Sequence, residues 1–485
     1  MKLSQLVPFY AAAVLAHGTG SDHDHDHHHQ HAHPDTGAVC GPGALPANGD
    51  STCQPDTNLV QPDLFEQAQK PVATEYLQVV DFKCPNGTNC EHAHKHAWTH
   101  SEPCFMGSKT GIDYCVFTDT QFADGRGTSF VMTRRRADYL ATNPAFTDPN
   151  FVHGINQDLV RTIPAVYDKK EFPGKGWGLV ANQLIRRGDL IMANTATLMI
   201  DYRAFNELTR DQYKELQLNA VNYLPEAHRN HFLNLSTHGH TFERQIDLVE
   251  KISETNAFDI DPDADDEEQE HGFFVVFPEI ARFNHDCRPN ADYYFEHSSL
   301  TQYIHATRDI QPGEELTLSY INPIMLREAR LRKLNRNWGF KCACHSCTQD
   351  KAQAEASDFR IRQIKSVRSK LRDWKAKSPA TPKMAELYIS LYEQERLWGG
   401  IYNAYAFAAL EYNAVGDPWS AIKYALLAVE WGIPIVGVSS ADVKEMKKLA
   451  EDPWEHWSWN LRNKRRSGFT KDEDSEDDSD DEDDD

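Results

Sequence analysis

Three cysteines fall within six residues at Cys342-Ala343-Cys344-His345-Ser346-Cys347. Thiolates this close can wrap one tetrahedral Zn²⁺, whereas cysteines at such spacing pair poorly with one another. The chain carries ten cysteines, and six of them, Cys40, Cys53, Cys84, Cys90, Cys104 and Cys115, precede residue 120. That even set suits three disulfides, with fifteen possible pairings. A metal site between Cys84 and Cys104, where His92, His94 and His96 intervene, is the alternative. Its spacing fits no zinc pattern well, so disulfides are the preferred reading. Cys287 is then the one cysteine left to complete a site of Cys287, Cys342, Cys344 and Cys347. Four sulfurs fill a zinc shell and leave no position for a reacting water, so such a metal serves the fold.

Upstream of that cluster four short blocks follow one another. The first is Gly174-Lys175-Gly176-Trp177-Gly178-Leu179-Val180-Ala181. Glycines on both sides of a bulky residue let backbone approach a ligand closely, although a glycine triplet by itself is more often a strand turn. The second is Glu254-Thr255-Asn256-Ala257-Phe258-Asp259-Ile260. The third runs Pro278-Glu279-Ile280-Ala281-Arg282-Phe283-Asn284-His285-Asp286-Cys287-Arg288-Pro289-Asn290. The fourth is Pro312-Gly313-Glu314-Glu315-Leu316-Thr317-Leu318-Ser319-Tyr320, followed by Phe340-Lys341-Cys342. Taken singly, Asn284-His285 reads as a buried polar pair in a turn and Tyr320 as a strand-end core tyrosine. Four blocks in order outweigh those readings.

Together the blocks resemble the SET domain of protein lysine methyltransferases over residues 160–350, and the pattern is most similar to the SET-and-MYND group. Residues 201–250 hold no cysteine, so the MYND zinc finger of that group is missing there. The resemblance implies an α+β fold of small sheets around a knot-like crossing. It implies transfer of a methyl group from S-adenosylmethionine (AdoMet) to a lysine side chain of a protein or peptide, histones included. It places Lys175, Gly176 and Trp177 along the methionine end of AdoMet and gives Asn256 a side-chain contact to it. Asn284 and His285 would grip its amino and adenine ends, Phe340 would stack on the adenine, and Tyr320 would line the transfer pore as the catalytic residue. Tyr293, Tyr294 and Phe295 read as a strand, with sheet packing as their simplest role and one of them facing the lysine channel as the alternative.

These residues need elements to hold them. Residues 161–200 and 273–320 carry short apolar runs between Gly, Pro and Asn turns, the mark of strands. Residues 201–250, with Leu208, Tyr213, Leu216, Tyr223 and Phe232, show helical spacing. Beyond residue 350 the spacing predicts helices over 358–374, 384–397, 404–415 and 421–431. Residues 405–428 resemble one tetratricopeptide-type helix pair, and a plain helical cap is the equal alternative. The domain order is thus a cysteine-containing region (37–155), a SET domain (156–338) with a helical insert, a zinc segment (339–350) and a TPR-like helical region (351–466).

The ends are of low complexity. Residues 1–16, MKLSQLVPFYAAAVLA, have the charge, apolar stretch and small residues of a secretory signal peptide. A His-rich linker (17–36) follows, with seven histidines among residues 22–33. Such a run binds divalent metals loosely or is simply solvated. Residues 467–485 form an acidic tail, and the twelve carboxylates of residues 472–485 make up about half of the net charge of −23. No basic excess exists, so direct nucleic-acid binding is not expected. No membrane span is expected either: the apolar stretch near 421–438 is broken by Lys423, Glu430 and Pro434. The leader points to the secretory pathway or the extracellular space, and to the nucleus or cytoplasm if it is not used. It also supports a second reading, a secreted SET-like protein without activity that binds or holds metal, because an oxidising compartment threatens zinc thiolates.

Overall fold

The computed structural model describes residues 97–148, 150–156, 165–261 and 272–466. The expected leader, His-rich linker and acidic tail, with Cys40, Cys53, Cys84 and Cys90, lie outside the described residues.

The apolar runs form strands β1 (Cys104–Met106), β2 (Asp113–Asp119), β3 (Thr128–Thr133), β4 (Tyr167–Phe172), β5 (Gly176–Ala181), β6 (Leu190–Thr195) and β7 (Leu198–Asp201). Further along come β8 (Ala257–Ile260), β9 (Phe273–Val276), β10 (Asn284–His285), β11 (Ala291–Glu296), β12 (Thr301–Ala306) and β13 (Glu315–Leu318). They assemble into three small sheets ordered β1-β2-β3-β7-β9-β8, β10-β13-β5-β4 and β11-β12-β6. An α+β fold of small sheets is therefore what the chain adopts. Strand β10 lies parallel to β13, with Asn284 opposite Thr317 and His285 opposite Leu318. This pairing lays the third sequence block directly beside the fourth.

The first sheet crosses the boundary expected near residue 155, because β3 pairs in parallel with β7, Val131 opposite Ile200. Period-two alternation explains the union. Phe117, Phe130, Met132 and Met199 enter one core, while Val116, Val131, Leu198 and Ile200 enter another on the opposite face. A strand buried on both faces cannot stay outside the sheet. Cys104 and Cys115, opposite each other on β1 and β2, form a disulfide.

The insert is helical: α1 (Arg210–Asn222), α2 (Glu226–Leu233) and α3 (Gln245–Asn256). Thr209 and Gln212 form a reciprocal capping box that starts α1, and Tyr213, Leu216, Ala220 and Val221 close the second core. Helix α4 (Arg327–Trp338) precedes a bundle of α5 (Lys351–Arg372), α6 (Pro382–Gln394), α7 (Ile401–Ala414), α8 (Pro418–Val436) and α9 (Ala441–Glu451). Thr381 and Asp417 cap α6 and α8, each with proline at the first helical position.

Helix α8 departs from the sequence reading. It continues through Pro434, and its 19 residues are long and apolar enough to cross a bilayer by length and composition alone. Because Pro434 stands in the last turn, little of the helical ladder is lost. The helix packs as a core element: Ala421, Ala425, Ala428 and Val429 are buried in the bundle, and Glu430 pairs with Arg187.

Candidate active site

A cleft of about 510 Å³ opens where α3 runs into the edge strand β8. Its walls include Asn256, Phe258 and Asp259 from this junction, Phe283 and Tyr320 from the third and fourth blocks, and Trp338 from α4. The amide nitrogen of Asn256 donates to the carbonyls of Ser236 (2.9 Å) and Ile252 (2.8 Å). Both of its donors are used, so the side chain offers its carbonyl oxygen as acceptor. The Tyr320 hydroxyl donates to the Phe283 carbonyl at 2.6 Å. Burial pushes its phenol above the ordinary value and keeps it neutral. Thr255 Oγ1 and Asp259 Oδ1 are buried in this region, with no hydrogen-bond partner among the described residues. Burial, reinforced by Asp261, raises the Asp259 carboxyl to about 7.

Behind Tyr320 stands His285. Its Nδ1 accepts from the Tyr320 backbone N–H at 3.1 Å, and its Nε2 lies 3.3 Å from Cys287 Sγ. Burial lowers the imidazole to about 3, so it is neutral. The rings of Tyr320 and Phe340 lie 5.3 and 6.1 Å from that of His285, centroid to centroid. Asn284 faces the other way, with Nδ2 donating to Glu315 Oε1 at 2.9 Å. The second oxygen of Glu315 meets Lys175 Nζ at 2.6 Å, so one carboxylate ties the first, third and fourth blocks. Glycine is required at 178: an added Cβ would stand 2.5 Å from Asn284 Nδ2 and 2.9 Å from the Phe172 ring. Trp177 is 56% exposed and stands apart from this packing.

The four later cysteines converge. The Sγ atoms of Cys287, Cys342, Cys344 and Cys347 all lie within 4.8 Å of one another, which suits one tetrahedral metal ion. Their cluster packs with Leu334 and Trp338 of α4 and with Tyr320 and Phe340. Arg330, Leu334 and Trp338 repeat every four residues, so α4 turns one face to the thiols. Gly339, at φ +70°, ends α4 in the left-handed region and turns the chain back through Phe340 to Cys342. Arg330 is almost fully buried; burial works to lower its guanidinium, but the charge of Cys287 and Cys347 beside it raises it above the ordinary value.

A second cleft, of about 780 Å³, separates this region from the bundle. Ser319 lines both clefts, and Arg368, Tyr388, Tyr392 and Arg396 form much of the bundle side. Next to it, Glu395 accepts from Arg288, from Ser357 (2.7 Å) and from Arg360 (2.7 Å). Arg288 follows Cys287 directly, so this buried network fastens the bundle to the third block.

Of the residues expected from sequence, Asn256 and Tyr320 line the first cleft, His285 and Phe340 join Tyr320 in one ring cluster, and Lys175 and Asn284 meet at Glu315. Gly176, Trp177, Asn284, His285 and Phe340 are not among the cleft's walls. Glu315, Arg330 and Asp259 were not singled out by sequence reasoning. Arg330 carried a signal, since it shares a helical face with Leu334 and Trp338; the other two carried none beyond their place in the blocks.

A family model described as "SET domain" matches residues 176–321. The histone-lysine N-methyltransferase SET5 of Meyerozyma guilliermondii is 42% identical over 77 residues, 16% of this chain and 16% of that protein. The human histone-lysine N-methyltransferase SMYD3 is 40% identical over 77 residues, 16% of this chain and 18% of its own length. The set5 protein of Schizosaccharomyces pombe is 28% identical over 202 residues, 41% of this chain and 56% of its own length. The chain thus spans from about a sixth to just over half of these relatives.

Proposed function

We propose that the protein transfers a methyl group from AdoMet to a lysine side chain of a protein, because residues 176–321 match the SET-domain family model and the chain is similar to SET5 and SMYD lysine methyltransferases. The observation that carries the reading is the meeting of Tyr320, His285 and Phe340 beside a cleft that Asn256 also lines. The relatives' names make histones the first substrate class to test.

The residues present fit AdoMet. Thr255 Oγ1 and the Asn256 carbonyl oxygen are polar groups left over at the cleft, and Gly178 keeps a Cβ out of the space beside Asn284. Asn256, Asn284, His285 and Phe340, with the backbone of Lys175, Gly176 and Trp177, are the groups that would hold it. When bound, AdoMet supplies a methyl group already activated by its sulfonium. The protein's tasks are to orient and to dry the site. Tyr320, fixed through its hydroxyl on Phe283, sets the width of the passage. Phe258, Tyr293 and Trp338 line the amine's path with rings and strip its water. A lysine is about 99.9% protonated near pH 7.4, and an apolar passage lowers its pKa toward the neutral, attacking form.

Zinc is assigned to Cys287, Cys342, Cys344 and Cys347, a donor set of sulfurs alone with no open position. Packed against Tyr320 and Phe340, it would stiffen the cofactor side of the site. The helical bundle, whose α7 and α8 span the residues that resemble a tetratricopeptide-type pair, is assigned to holding the substrate's flanking residues along the second cleft; a plain helical cap is the alternative.

The second reading, a secreted SET-like binding protein without activity, draws on the leader expected at residues 1–16 and on the Cys104–Cys115 disulfide. Purified chain is tested for AdoMet binding and for methyl transfer to core histones. Binding with transfer supports the enzyme. Binding of neither AdoMet nor substrate, in protein recovered from the secreted fraction, supports the second reading.

A further inference from the structure

We infer that Asp259 is the proton acceptor of the lysine passage: its carboxylate takes a proton from the incoming ammonium before the amine attacks. The inference rests on the methyltransferase reading above.

Three observations lead there. Asp259 is the one carboxylate among the described residues that wall the first cleft, which it shares with Ala257, Phe258, Tyr293 and Tyr320. It sits on β8, the edge of its sheet, opposite Phe274. Its Oδ1 is buried, yet no donor among the described residues satisfies it. A buried acceptor left without a partner is destabilising, and a fold tolerates that where a ligand supplies the missing donor. A cation bearing N–H groups is such a ligand.

The neighbouring charges agree. Asp261 on the same segment repels a second negative charge, and His297 faces Asp261. From the facing strand β11, Tyr293 is neutral, raised by burial and by Asp292 and Asp259. Tyr320 is neutral as well. No cation among the described groups competes for Asp259, whose carboxyl is raised to about 7. The same dryness that raises an acid lowers an amine, so both shifts narrow the gap between lysine and Asp259. In the transfer one N–H bond of the ammonium breaks and an O–H bond forms on Asp259. The bonding pair stays on nitrogen as the lone pair for methyl transfer, and the carboxylic acid later returns its proton to water.

The test is the pH dependence of kcat/KM for methyl transfer to core histones, from pH 5.5 to 9.5, in the full chain. The wild type is expected to rise tenfold per pH unit below about 7 and to level above it. Asp259→Asn, nearly isosteric, is expected to be slower by roughly a hundredfold at pH 7.5, within the usual range for a lost general base. Its rate is expected to keep climbing through pH 9, because only the free amine then remains to react. Asp259→Glu is expected to recover the plateau, and AdoMet affinity is expected to stay within twofold in both variants. An Asp259→Asn profile that matches the wild type overturns the assignment while leaving the methyltransferase reading in place. So does a slowed variant that keeps the break near 7. A wild type that binds AdoMet and methylates nothing overturns the reading and this inference with it.

Discussion

Replacing Cys347 by serine tests how the thiol cluster supports the site. Cys347 Sγ lies 3.6 Å from Cys287 Sγ in a group of four sulfurs, so its loss leaves three thiolates and a poor, neutral oxygen donor. Structural zinc contributes about 10–16 kcal/mol in small zinc-finger peptides. A quarter of that is about 2.5–4 kcal/mol, equivalent to a loss of roughly two to three decades in zinc affinity. The damage is expected to spread, because Cys287, Cys342 and Cys347 share one buried cluster with Tyr320, Trp338 and Phe340. Arg330, buried beside Cys287 and Cys347, would also lose part of its counter-charge. Zinc per chain is measured by elemental analysis after dialysis against a chelator, and AdoMet affinity by calorimetry on the same samples. The expectation is one zinc in the wild type, well under half in Cys347→Ser, and AdoMet binding weakened at least tenfold. A variant that keeps stoichiometric zinc and normal AdoMet binding would refute both the ligand set and its coupling to the cofactor side.

Other outcomes follow from the same geometry. Glu395→Gln leaves the buried Arg288 side chain and the partly buried Arg360 without their carboxylate and is expected to lower stability by about 3–5 kcal/mol in urea unfolding. Gly178→Ala drives a methyl into Asn284 and Phe172 and is expected to destabilise by about 1–3 kcal/mol while weakening AdoMet binding more than the unfolding change accounts for. His228 is buried neutral between Thr197 Oγ1 and the Arg126 carbonyl and lowered to about 3. Its folded value lies below the unfolded one near 6.5, so its contribution is complete above pH 6.5 and fades as pH falls toward 3. Unfolding free energies at pH 7 and pH 4.5 should therefore differ less in His228→Gln than in the wild type.

Much of this was readable before any fold was known, and the reasons are local. Asn284-His285, Tyr320 and the Cys342–Cys347 run are held by short-range features: a two-residue strand, a strand end and a tight turn after Gly339. The helices of the insert and the bundle follow from apolar spacing and caps such as Thr209, Thr381 and Asp417. What stayed hidden depends on partners far along the chain. Glu315 meets Lys175 140 residues away, and nothing in either segment announces that meeting. Asp259 looks like a surface charge by type, and only the burial of its Oδ1 in the wall of a cleft shows otherwise. The union of β3 with β7 was hidden for a related reason: a strand buried on both faces reveals its apolar character but not its neighbour.

In the proposed reaction this cleft passes a methyl group from AdoMet to a lysine amine under the control of Tyr320. The direct measurement is transfer of labelled methyl to core histones by wild type and Tyr320→Phe, with AdoMet affinity determined on both proteins. Phenylalanine keeps the ring that packs on His285 and Trp338 and removes only the hydroxyl held by Phe283. Labelled lysine is expected with the wild type, a rate at least about a hundredfold lower with the variant, and AdoMet binding retained in both. Equal rates for the two proteins, or label on a residue other than lysine, would contradict that reaction.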